Sequence, residues 1–360
     1  MWYLDFDTDD LTNEQIIDAR KFFGTFVKEA RKNAKHEACL ICGEKAPFCN
    51  SHTIPQFCLK HITYKGKVKS LNAFLGTELL SPESGINNAG TFHVICRHCD
   101  GTIFQDYENS QAYLQKPSYN VLNQIALKNV LRDIYKHETE IEMMKIMKKN
   151  ILQERTLLAL MFMMGIRLNE QIKARSKDIE KCYDIFNVIK NNINSDVMNY
   201  RLVSYDKLEY VVPIAFQGMI ALITGVNGEV INNIYSTDSD YNIEYLHIAI
   251  FPLENTSVVI TFTEDRNNRI LSFEEALKGL TFLKRLEIIN KIVFWYAEDY
   301  FFSPYLSEEV IKYLERSARQ MQDLFTDDEE KSLENAVKDY DLRRDIYLPN
   351  LLSKEYAVSS

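Results

Sequence analysis

Apolar positions first recur at helical spacing between residues 13 and 34. There Ile16, Ala19, Phe22, Phe23, Phe26 and Ala30 fall on one face, and Thr12 with Gln15 stands at capping-box spacing ahead of them. The same period returns from about 118 to 198. Leu122, Ile125, Ala126 and Val130 share one face, and Ile179, Cys182, Tyr183, Phe186, Ile189 and Ile193 share another. Between these lies TLLALMFMMGIRL, residues 156–168, apolar nearly all round. It reads as a helix covered on several sides, too short to span a bilayer and interrupted by Arg167.

The period then shortens. Residues 208–236 alternate and are rich in β-branched side chains, with Asn227-Gly228 between 220–223 and 230–231, a hairpin signal. A second hairpin is expected from 246–251 through PLENTS to 258–262. Together these predict an antiparallel sheet of about four strands. Helical spacing resumes at Leu280, Leu283, Ile288, Ile292 and Phe294, behind a capping box at Ser272 and Glu275. Ser307 is placed to cap a helix bearing Ile311, Leu314 and Met321, and Thr326 with Glu329 to cap the last one. FWYAEDYFF reads as an aromatic helix followed by a solvated or capping Glu298-Asp299 pair, and His247 as a core histidine. The fold class is therefore α+β: an N-terminal module, then a mainly helical domain with a small antiparallel sheet.

At 360 residues, length predicts two domains, here 1–116 and 117–360. The start, MWYLDFDTDD, is acidic and mixed, unlike an export signal. Six of the seven cysteines fall between Cys39 and Cys99. An odd count with two C-x-x-C pairs argues for a reducing compartment and a metal, not for disulfides, so a cytoplasmic location is expected. The net charge of −9 excludes a surface that is basic throughout. Residues 28–69 nevertheless carry nine Lys/Arg against three Glu, and a local balance of +6 suits either a solvated face or contact with phosphates.

Cys39-Leu40-Ile41-Cys42 and Cys96-Arg97-His98-Cys99 are two knuckles that together supply four soft ligands for a tetrahedral zinc ion. Cys49 and Cys58 are spaced less suitably and read as small buried apolar residues.

Between the knuckles stands Asn50-Ser51-His52-Thr53-Ile54-Pro55, and after the second come Asp100, Phe104, Tyr107 and Glu108. Over about residues 36–115 the chain resembles the treble-clef HNH endonuclease superfamily. More narrowly it is similar to bacterial proteins carrying Ser-His-x-Ile-Pro and C-x-x-C-[Asp/Glu]-x-x-x-Phe-x-x-[Tyr/Trp]-Glu. The resemblance implies metal-dependent cleavage of nucleic acid, most simply DNA, in a setting such as bacterial defence or a mobile element. It implies His52 as the general base that deprotonates the attacking water, and Asp100 as ligand to a catalytic Mg²⁺ or Mn²⁺. The residue before the base is usually an acid or His and is here Ser51, a poor ligand. The position that orients the base falls at Thr91, with Asn87 and Asn88 as substitutes, and Glu108 or His98 is a candidate for the missing ligand. Read without the resemblance, His52 serves equally to hydrogen-bond the zinc thiolates or a backbone carbonyl, and Asp100 as a helix N-cap.

No phosphate-binding glycine loop, dinucleotide fingerprint or nucleophile elbow occurs, so no nucleotide cofactor is expected. The rival to the nuclease is a non-catalytic zinc module that binds nucleic acid or a partner protein, with the C-terminal part as a sensor or interaction domain.

Overall fold

The structure is a computed structural model that describes residues 24–72, 83–151, 158–193, 199–236, 238, 240–264, 266–297, 299–320 and 329–358. Thr12, Gln15, Glu298, Met321 and Thr326 lie outside the described residues.

Helix α1 runs through residues 24–33, burying Ala30 as the spacing predicts; Val27, outside the expected face, is buried too, and Phe26 is half-buried. Strand β1 (Ser51–His52), helix α2 (Gln56–Ile62), strands β2 (Lys67–Asn72), β3 (Glu83–Gly85) and β4 (Thr91–Phe92) and helix α3 (Arg97–Ile103) follow. Two long helices come next, α4 (Tyr119–Ile151) and α5 (Leu158–Asn191). Then come β5 (Tyr200–Leu208), β6 (Ile214–Ile220), β7 (Leu246–Pro252), β8 (Ser257–Glu264), α6 (Ile270–Gly279), α7 (Phe282–Tyr296), β9 (Asp299–Phe302), α8 (Glu308–Gln320) and α9 (Glu329–Asp339). Among the described residues no helix is long and apolar enough to cross a membrane.

The fold is mixed helix and antiparallel sheet. Seven strands run in the order β3-β2-β9-β6-β7-β8-β5, more than the four expected, every pair antiparallel. The PLENTS hairpin is present as β7 and β8, closed by Leu253 N–H to the Thr256 carbonyl at 2.8 Å. Asn227-Gly228 does turn the chain, with Gly228 at φ 84°, but its flanks meet only in the single bridge Thr224–Val230. FWYAEDYFF is not one helix. Helix α7 stops at Tyr296, and residues 299–302 become β9, paired with β2 on one side and β6 on the other. Asp299 is an ion-pair partner of Arg132 and Lys136 on α4 rather than a solvated cap. Residues 83–85, in a stretch rich in Ser, Gly and Asn, are likewise strand, as β3.

Side-chain alternation divides the sheet between two cores. Leu246, Ile248 and Ile250 of β7, with Ile214 and Phe216 of β6, face α6 and α7. Ala249, Phe251, Val258, Ile260 and Phe262 face α4 and the cysteine-rich segment, in a cluster that also holds Cys39, Cys96, Cys99 and Leu122. Segments 1–116 and 117–360 therefore share both a sheet and a core. Helix α7 is capped by Thr281, which accepts from Lys284 N–H. Ser272 instead lies inside α6, donating back to the Arg269 carbonyl. Ser307 caps α8 as expected, accepting from Val310 N–H at 3.3 Å. His247 is buried in β7, its Nδ1 3.0 Å from Asn129 Nδ2 and its ring stacked on Phe262.

Candidate metal centre and the adjoining pocket

The first knuckle is a tight turn. Gly43 N–H reaches the Cys39 carbonyl at 2.8 Å, and Gly43 takes φ 75°, a conformation that favours glycine. Leu40 N–H donates to the Val94 carbonyl at 3.0 Å, and Phe48 bridges to Cys96, so the two knuckles are held side by side. Cys96 stands in extended conformation at the N-cap of α3, and Cys99 lies in its first turn. One ligand atom from each of Cys39, Cys42, Cys96 and Cys99 lies within 4.8 Å of the others, with Cys42 Sγ 3.9 Å from Cys96 Sγ. Zinc–sulfur bonds of about 2.3 Å make a tetrahedron with edges of about 3.8 Å, so the set can hold a metal ion and zinc suits its donors. None of the four is in a disulfide. Burial pushes the Cys39 thiol up, but the N–H groups of Cys42, Cys96 and Ile41 more than offset this and hold it at about 7. Burial and the neighbouring thiols push Cys99 up.

Beside the thiols, β1 pairs with β4, setting Ser51 opposite Phe92 and His52 opposite Thr91. Helix α3 follows β4 directly and carries Asp100 in its first turn. Helix α4 adds a residue that the motif did not include. Lys128 is fully buried, and its Nζ donates to Asp100 Oδ1 and to Ser51 Oγ, each at 2.7 Å. Ser51, also fully buried, donates its hydroxyl to the same Asp100 oxygen at 2.7 Å. The ammonium lies 4.2 Å from the Phe104 ring centroid, 5.4 Å from Tyr107 and 5.8 Å from Phe92, a cation–π box. Thus Ser51, Asp100, Phe104 and Tyr107, four of the residues that carry the resemblance, converge on one lysine. The Tyr107 hydroxyl lies 3.0 Å from both the Thr53 carbonyl and Gln217 Oε1. Gln217 in turn donates to Asn129 Oδ1 at 2.9 Å, joining this pocket to His247 in the sheet.

His52 is half-buried and its Nε2 donates to the Ile86 carbonyl at 3.0 Å. Burial lowers its pKa; the Ile86 carbonyl and Asp100 oppose this and Lys128 reinforces it. The ring is therefore neutral at pH 7, with Nδ1 left as an acceptor. Its orienting partner is this carbonyl, not Thr91, Asn87 or Asn88; Asn87 accepts from Gln56 instead. Glu108 accepts the Gln56 N–H at the start of α2, and His98 is exposed. Cys49 and Cys58 stay outside the thiol cluster, and Cys58 is fully buried.

The donors around Asp100 do not fit a catalytic divalent cation. Mg²⁺ needs near-octahedral oxygens at about 2.0–2.1 Å. Here Asp100 Oδ1 already accepts two hydrogen bonds, Ser51 is turned toward the same atom, and an ammonium stands against both. A dication about 4 Å from that ammonium would be repelled by roughly 8 kcal/mol at an effective dielectric near 20.

Sequence periodicity contained one trace of Lys128. It lies three residues after Ile125 and seven after Val121, on a face that also buries Gln124, and a lysine there must find a buried partner. Comparison with family models, with curated proteins and with solved structures finds no match.

Proposed function

We propose that the chain is an HNH-like, treble-clef protein in which a structural zinc ion holds a β-hairpin and helix, and that this module binds nucleic acid without cleaving it. The observation that carries the reading is the engagement of Asp100. Oδ1 of the carboxylate that the resemblance assigns to a catalytic cation already accepts from both Lys128 and Ser51. The basic balance of residues 28–69 supplies the binding surface. Lys65 and Lys67 are exposed at the turn into β2, where Lys65 Nζ lies 5.0 Å from the ring centroid of exposed Tyr64. The test is a salt titration of oligonucleotide binding, single-stranded and duplex, with zinc-loaded protein. Lys65→Ala with Lys67→Ala should weaken binding and reduce the slope of log K against log salt by about one to two, near 0.9 per phosphate contact. Absence of binding at low salt would sink the nucleic-acid reading and favour a protein partner.

A second reading, metal-dependent cleavage with His52 as base, is favoured by one contact. Donation from His52 Nε2 to Ile86 fixes the tautomer and leaves Nδ1 bare to accept a proton from water.

A further inference from the structure

We infer that Lys128 stands in the cation position of the pocket: a lysine ammonium has replaced the divalent ion that this hairpin-and-helix arrangement would otherwise hold. The inference rests on the HNH-like reading of the module and explains its two departures together. A site built for a dication sets an acid or histidine beside the base and points both carboxylate and neighbour at an open position. Here the neighbour is Ser51, whose hydroxyl donates into Asp100 and accepts from Lys128. The charges of Asp100 and Lys128 cancel within the pocket. With an acid at position 51 the lysine would leave one negative charge over; with serine it leaves none.

The replacement is built in. Lys128 comes from the third turn of a long helix, its ammonium is enclosed by Phe92, Phe104 and Tyr107, and the lysine has no exposed surface. It cannot swing out to admit an ion without unpacking α4 from β1 and α3. Ser51 and Lys128 are 77 residues apart in sequence, yet each makes the other's environment tolerable.

The test is a Mn²⁺ titration of the full zinc-loaded chain, followed by electron paramagnetic resonance. Wild type should show no Mn²⁺ binding that depends on Asp100. Lys128→Met keeps the length and apolar contacts of the stem and removes the charge. It should gain one Mn²⁺ site, binding at least about 100-fold tighter than wild type, as relief of like-charge repulsion requires. Adding Asp100→Asn to Lys128→Met should abolish the gain. Zinc content and a melting curve establish that the variants are folded. Mn²⁺ binding by wild type that Asp100→Asn removes overturns the inference, and so does a folded Lys128→Met without a Mn²⁺ site. Should Lys128→Met fail to fold, the wild-type comparison decides, joined by Ser51→Asp. That variant restores an acid but keeps the lysine and should still bind no Mn²⁺; a gain there would show that serine, not lysine, is the barrier. Cleavage of nucleic acid by wild type in EDTA would defeat the non-cleaving reading and leave this inference standing.

Discussion

Replacing Cys96 by serine removes one of four sulfurs while leaving the backbone of its knuckle intact. Cys96 is a demanding position. It stands at the N-cap of α3, bridges to Phe48, and donates its N–H to Cys39 Sγ at 3.3 Å. Structural zinc contributes an apparent 10–16 kcal/mol in small zinc folds. Shared equally over four ligands, the loss of one is therefore about 2.5–4 kcal/mol, a large part of the roughly 5–15 kcal/mol by which folded chains are stable. Cys182 is the internal control. It is 2% exposed on α5 and packed in the core that contains the zinc thiols, but it is no ligand. Cys182→Ser should cost about 1–3 kcal/mol, the cost of a poorly partnered buried hydroxyl. Elemental analysis should find one zinc per wild-type chain, and thermal melts should place Cys96→Ser below Cys182→Ser. A chelator should lower the melting temperature of wild type and of Cys182→Ser while leaving Cys96→Ser nearly unmoved. Zinc-free native protein, or equal losses in the two variants with no chelator effect, would refute the reasoning.

Because β2 pairs with β9 and a single core cluster spans both halves of the chain, thermal unfolding should be one cooperative transition by both circular dichroism and tyrosine fluorescence. Two separate transitions would restore a division near residues 116 and 117. Burial holds the His247 pKa at about 3 against an ordinary 6.5. The unfolded chain therefore takes up the proton first as pH falls, and the stability due to the neutral ring is complete above about 6.5 and is lost progressively toward about 3. His247→Leu should melt lower than wild type at neutral pH, and the gap should narrow as pH is lowered to 4; parallel curves would contradict this.

How much was legible in the sequence follows from the range of each interaction. The knuckles are local patterns with a fixed chemistry, and both were readable. So were the PLENTS hairpin and the Ser307 cap, each settled within a few residues. The pairing of β2 with β9 was not, because the two strands are remote in sequence: Lys69 lies opposite Phe302, and Asp299 opposite Asn72. An aromatic run such as Phe294–Phe302 carries apolar surface in either period, and only its neighbours decide where helix gives way to strand. The pocket divided in the same way. His52 and Asp100 were found by motif, whereas the carbonyl that orients His52 carries no side-chain signature. Lys128 comes from a helix outside the motif altogether. Its spacing from the apolar Val121 and Ile125 was the only signal, and it names a need for a partner without saying which.

The account turns on whether the pocket beside the zinc performs metal-dependent chemistry, and a plasmid-nicking assay asks this directly. Supercoiled DNA is incubated with Mg²⁺ or Mn²⁺ and zinc-loaded protein, wild type beside His52→Ala. With Asp100 Oδ1 already bound by Lys128 and Ser51, neither protein should nick above the buffer control. Nicking by wild type that His52→Ala abolishes, at unchanged zinc content and melting temperature, would contradict the account and make His52 a catalytic base.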